Sequence, residues 1–169
     1  MKYIIGPINA VTDWAGKIAQ WFIIFMIIAI VIEVFMRYVL NNPTIWSYEI
    51  SLMLGAAMYA IGYSYTERQR GHVRVDIFYH KYSDRQKAIS DALLGILFFL
   101  PVIIFTTWGA WAWMLKSWGM AEKSVESFWY PPLYPLRTIV FFGWMMLLLQ
   151  GLVGLYRNFY YWIKGRPYD

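Results

Sequence analysis

Polar and apolar residues alternate in blocks rather than residue by residue along this chain. Four blocks are almost wholly apolar: roughly residues 15–40, 46–66, 88–115 and 133–161. A run of about 20 apolar residues spans the hydrocarbon layer when helical, so each block predicts a transmembrane helix. Residues 3–18 are different. Ile4, Ile8, Val11 and Ile18 recur at near-helical spacing, with Asn9, Asp13 and Lys17 between them. This predicts either an amphipathic helix at the membrane surface or a frayed terminus. Asn42 before Pro43 is a cap-and-first-turn signal, so the second helix starts close behind the first, and the two form an antiparallel hairpin. Pro101 predicts a kink in the third helix. The polar loop "GMAEKSVES" separates the third block from the fourth, and a short tail, "KGRPYD", follows it.

The expected fold is therefore an all-α membrane protein, a single four-helix transmembrane domain over 1–169, with or without the amphipathic lead-in. Composition supports it. The chain is 60% hydrophobic and only 15% charged, more apolar than a soluble domain of this length. The first block is too long for the core of a cleavable leader, and no small-residue cleavage site follows it. It reads as a retained span. A net charge of +5 does not argue for nucleic acid, because the cations sit at the ends of the apolar blocks. Eleven of the fifteen lysines and arginines fall in the N-terminal flank, the 68–87 loop and the C-terminal flank. By the positive-inside rule, both termini and that loop are cytoplasmic, and its basic side chains can hold membrane lipid headgroups.

Candidate chemistry is sparse. The chain has no cysteine, which excludes disulfides and thiolate metal sites. Its two histidines, His72 and His80, lie in the polar loop and not on spans, so an intramembrane haem is not expected. No phosphate loop or nucleophile–base pair is present, and no cofactor is expected. Ten tryptophans and fourteen tyrosines gather near helix ends, where such rings anchor at membrane interfaces.

The polar residues within the apolar blocks carry what remains. Glu33 and Arg37 stand four apart, acid first, in the favourable order for a helical ion pair. A structural pair is favoured over a transported-ion site. Glu49, in the first turn of the second helix, suits the positive end of that helix. It is either an interfacial carboxylate or a partner for Arg37 or for another subunit. Ser47 can cap backbone N–H groups there. Ala56, Ala60 and Ser64, broadened by Ser51, Gly55 and Gly62, predict a close-packing strip.

Two ordered segments, "EVFMRYVLNNPTIWSYEISLML" and "GYSYTERQRGHVRVDIF", resemble the small membrane subunit of tripartite ATP-independent periplasmic (TRAP) transporters. "SFWYPPLYPLRTIVFFG" resembles the same subunit more loosely. The resemblance implies a bacterial inner-membrane scaffold for a large multi-span subunit. That subunit would import an organic acid, such as a C4-dicarboxylate or sialic acid, on a sodium gradient, after capture by a periplasmic substrate-binding protein. It marks Arg37, Trp46, Ser47 and Glu49 as one motif and His72, Arg74 and Asp76 as a second, the latter expected to lock the cytoplasmic turn. It does not imply an enzyme. A competing reading is a self-sufficient four-helix antiporter using Glu33, and a weaker one is a respiratory-complex anchor.

Overall fold

The computed structural model describes residues 2–69, 71, 82–166 and 168. All regular structure among them is helical: α1 (Lys2–Tyr38), α2 (Ser47–Arg68), α3 (Asp84–Leu94), α4 (Leu100–Gly119) and α5 (Tyr134–Lys164). A single π turn, Gly95–Phe99, joins α3 to α4 without a break. Three rods are long and apolar enough to cross a membrane: α1, the continuous α3–π–α4 rod, and α5. At 1.5 Å per residue they run about 45–55 Å, longer than the hydrocarbon layer of about 30 Å. Each therefore tilts or projects beyond it. The 22 residues of α2 reach about 33 Å, but its serines, glycines and tyrosines, with Glu49, Glu67 and Arg68, make it less apolar. It packs between α1 and α5, and α5 in turn carries α3 and α4.

The expected amphipathic lead-in is not a separate element. It is helical, and it continues without interruption into the first span. Pro7 is the sixth residue of α1, so its missing N–H forgoes one helical bond, to the Tyr3 carbonyl near the helix start. Side chains tie the lead-in to the bundle. Arg68 grips Asp13 with two hydrogen bonds, Nε to Oδ1 at 2.7 Å and Nη2 to Oδ2 at 2.8 Å. The buried Gln150 of α5 donates to Asn9 and accepts from Thr12. Thus α1, α2 and α5 are cross-tied at one end of the bundle.

Local signals explain most boundaries. Ser83 and Gln86 form a reciprocal capping box, Gln86 N–H to Ser83 Oγ and Ser83 N–H to Gln86 Oε1, so α3 starts at Asp84. Two left-handed residues follow helix ends and differ in chemistry. Helix α5 ends on Gly165 at φ 65°, the residue best suited to the left-handed region. Helix α4 ends in the same manner on Ala121 at φ 46°, with Ala121 N–H bonded to Trp118 O and Glu122 N–H to Ser117 O. Alanine there carries a Cβ penalty that glycine lacks. Ala121→Gly is expected to stabilise the protein by about 0.5–1 kcal/mol, read as a higher midpoint of thermal unfolding in detergent.

Helix packing turns on one glycine. A Cβ built on Gly143 would lie 2.5 Å from the carbonyl oxygen of Ala60 and 2.6 Å from its carbonyl carbon. The backbones of α2 and α5 touch there. Ala57, Ala60 and Ser64 are buried at this seam. Gly55 and Gly62 do not take part in a close approach. Gly55 is no nearer than 3.8 Å to Met26, and Gly62 has nothing within 4 Å. The small-residue strip is therefore real at Ala60 and Ser64, but its glycines point elsewhere.

Candidate functional site

The end of the bundle that carries the α1–α2 turn and the 120–133 loop collects most of the singled-out residues. Glu33, one turn from the end of α1, is its hub. One carboxylate oxygen accepts from Arg37 Nε at 2.8 Å and Nη2 at 2.5 Å. The other accepts from the Thr44 backbone N–H at 2.9 Å and, by a very short hydrogen bond, from its hydroxyl. The acid thus clamps its own helix to the incoming strand of the turn. Asn41 adopts φ 50° within that turn, a conformation asparagine tolerates, and Asn42 N–H closes back on Met36 O.

The remaining motif residues reach across to other elements. Ser47 opens α2, but its hydroxyl does not cap it. It donates to the Ala29 carbonyl of α1 at 2.9 Å, tying the hairpin together. Trp46 precedes it, half-buried. Glu49 is buried, and its carboxylate accepts from the Ser127 hydroxyl at 2.9 Å. Arg37 and Glu49 therefore do not pair: Arg37 is held by Glu33, and Glu49 reaches the 120–133 loop. His72, Arg74 and Asp76 lie outside the described residues.

That loop has its own frame. Leu133 N–H bonds to Glu122 O and Ser124 N–H to Pro131 O. Arg137, in the first turn of α5, bonds Glu122 at 3.2 Å while its guanidinium carbon stacks 3.7 Å over the Trp113 ring. Those Arg137 hydrogen bonds hold the Glu122 carboxyl below the usual carboxylate range. Trp118 donates its indole N–H to Thr138 at 2.9 Å, so α4 and α5 are pinned where they meet the loop. Thr44, Ser127 and the Glu122–Arg137 pair were not singled out in the sequence.

None of this assembles a catalytic group. Among the described residues, no cluster of three or more histidines and carboxylates could hold a metal ion. The site is a set of ties between helix ends, with the half-exposed Arg37 side chain at its margin.

Comparison with known proteins fits that character. The family model for tripartite ATP-independent periplasmic transporters, DctQ component, matches residues 26–160. This chain belongs to that family: it is a component of a transporter, not an enzyme, and a membrane protein. It is also similar to the sialic acid TRAP transporter permease protein SiaT of Haemophilus influenzae (strain 86-028NP). The two are 26% identical over 109 residues, which cover 64% of this chain but 17% of that relative.

Proposed function

We propose that this chain is the small scaffold subunit of a sodium-coupled TRAP transporter that imports an organic acid. The observation that carries the reading is the family match over residues 26–160, supported by the similarity to a sialic acid permease. A large multi-span permease unit then carries the substrate, and a periplasmic binding protein delivers it. In this reading α2 is the fourth span. It is shielded by α1 and α5, which is how a less apolar helix is tolerated in a bilayer. Both termini then face the cytoplasm of a bacterium, and the α1–α2 turn and 120–133 loop face the periplasm. The Arg37 side chain, Trp46 and the open α2 surface around Gly55 and Gly62 are the surfaces offered to the large subunit. His72, Arg74 and Asp76 lock the cytoplasmic turn.

The antiporter alternative finds no support in the site. Glu33 already accepts four hydrogen bonds, which leaves no open carboxylate for exchange. The test is reconstitution. Alone in liposomes, the protein is expected to give no sodium-driven uptake of sialic acid or C4-dicarboxylates. With its large subunit and binding protein, uptake of the matching acid appears. Uptake by this chain alone would refute the scaffold role.

A further inference from the structure

Helix α2 keeps one face uncovered. At 100° per residue, Tyr48, Ser51, Gly55, Tyr59, Gly62 and Tyr63 fall within a sector of about 120°, opposite the buried Ala57, Ala60 and Ser64. The three tyrosines are exposed, and a Cβ on Gly62 would meet nothing within 4 Å. The same face carries orphan polar groups. Among the described residues, the hydroxyls of Tyr48, Tyr59 and Tyr63 have no hydrogen-bond partner. The Ser51 hydroxyl oxygen is shielded from solvent and has none either. Ser51 also lines a groove of about 400 Å³ shared with Ile30 and Val34 of α1.

Depth decides what can cover such a face. Tyr59 stands twelve residues from the start of α2 and nine from its end, about 18 Å and 14 Å along the axis. In a hydrocarbon layer of about 30 Å its hydroxyl lies near the middle, and one side chain does not span the distance to either interface. Acyl chains offer no acceptor there, and an unpaired hydroxyl in hydrocarbon costs free energy. The covering group must bring an oxygen to mid-bilayer, which means protein. It can also come close, because Gly55 and Gly62 leave a notch on either side of Tyr59. A transmembrane helix meets both demands. A second copy of this chain does not. Two copies of like orientation pair about an axis normal to the membrane, and each residue near that axis meets its own counterpart. The segment that follows α2, residues 68–87, has six lysines and arginines against two aspartates. Pairing through α2 would set two such segments side by side, where like charges repel. We propose that the open face of α2 seats one transmembrane helix of the large subunit, which crosses at Gly55 and Gly62 and accepts a hydrogen bond from Tyr59 at mid-bilayer. The proposal rests on the scaffold reading, with α2 as a span, and adds to it the face, the kind of partner and the bond.

Tyr59 provides the test. The complex is assembled in membranes with the photo-crosslinker p-benzoylphenylalanine in place of Tyr59. Irradiation is expected to join this chain to the large subunit. An adduct of two copies of this chain, or reaction with lipid alone, overturns the assignment. Tyr59→Phe and Gly62→Leu are then compared with the unmodified chain, both for melting of the isolated subunit in detergent and for co-purification of the large subunit. Neither side chain is packed within the chain, so melting should be unchanged. Tyr59→Phe should weaken association about threefold to tenfold, and Gly62→Leu should abolish it. Full retention of the large subunit in either variant overturns the proposal and leaves the scaffold reading standing. If the unmodified chain retains no large subunit, the scaffold reading falls and this proposal with it.

Discussion

Gly143→Val should be the most damaging single substitution in the bundle. The new Cβ would overlap the carbonyl group of Ala60, and a backbone cannot rotate away as a side chain can. The helices must part, and the neighbouring stack of Tyr63 on Trp144, with centroids 5.9 Å apart, goes with them. Overpacking of this sort costs about 1–3 kcal/mol, and within a bilayer no hydrophobic drive pulls separated helices back together. The expected result is a large fall in thermal stability in detergent and loss of the monodisperse species on gel filtration. Gly62→Val is the control. Nothing lies within 4 Å of that position, so the isolated subunit should tolerate it. Equal melting of the Gly143 variant and the unmodified protein would show that α2 and α5 do not meet at this point.

The second large effect is expected at Glu33, and it should exceed that of its ion-pair partner. Glu33→Ala strands the Arg37 guanidinium and releases both the Thr44 N–H and its hydroxyl. Arg37→Ala removes only the intrahelical arm and leaves the acid clamped to the turn. Melting temperature should therefore fall by several degrees in Glu33→Ala and by clearly less in Arg37→Ala. Exchanging Arg37 and Glu49 should rescue neither single variant, since each has its own partner, Glu33 and Ser127. A greater loss in Arg37→Ala, or rescue by the exchange, would reassign the hub.

How much of this was legible beforehand depended on sequence distance. The four apolar blocks match α1, α2, the α3–π–α4 rod and α5 to within a few residues at most ends, because block hydrophobicity is a local property. The Glu33–Arg37 pair was equally local. The capping box at Ser83–Gln86 is also written plainly as "SDRQ", and it starts α3 at Asp84, four residues before the apolar block at 88. The ties that give the bundle its shape are not local. Asp13 meets Arg68 across 55 positions, Glu49 meets Ser127 across 78, and Asn9 meets Gln150 across 141. Nothing in a helical period announces such partners. Ser47 shows the limit of a local rule: it has the right residue type for a cap, and a carbonyl on the neighbouring helix takes the hydroxyl instead. Small residues were the least decidable. Which glycine meets a backbone depends on how each helix is rotated, and rotation is set by the whole packing.

The π turn at Gly95–Phe99 bears on how this chain should be compared with its relatives. Leu100 N–H reaches back five residues to the Gly95 carbonyl, and Pro101, which has no N–H to offer, follows at once. A turn of this kind holds one residue more than a regular α-helical turn. One residue is worth about 100° of helical phase, so α3 and α4 are two wheels on one axle, set out of register. A relative with a regular helix here would align only with a one-residue gap in the middle of the span. Without that gap, every position of α4 would be assigned to a face about 100° away from its own.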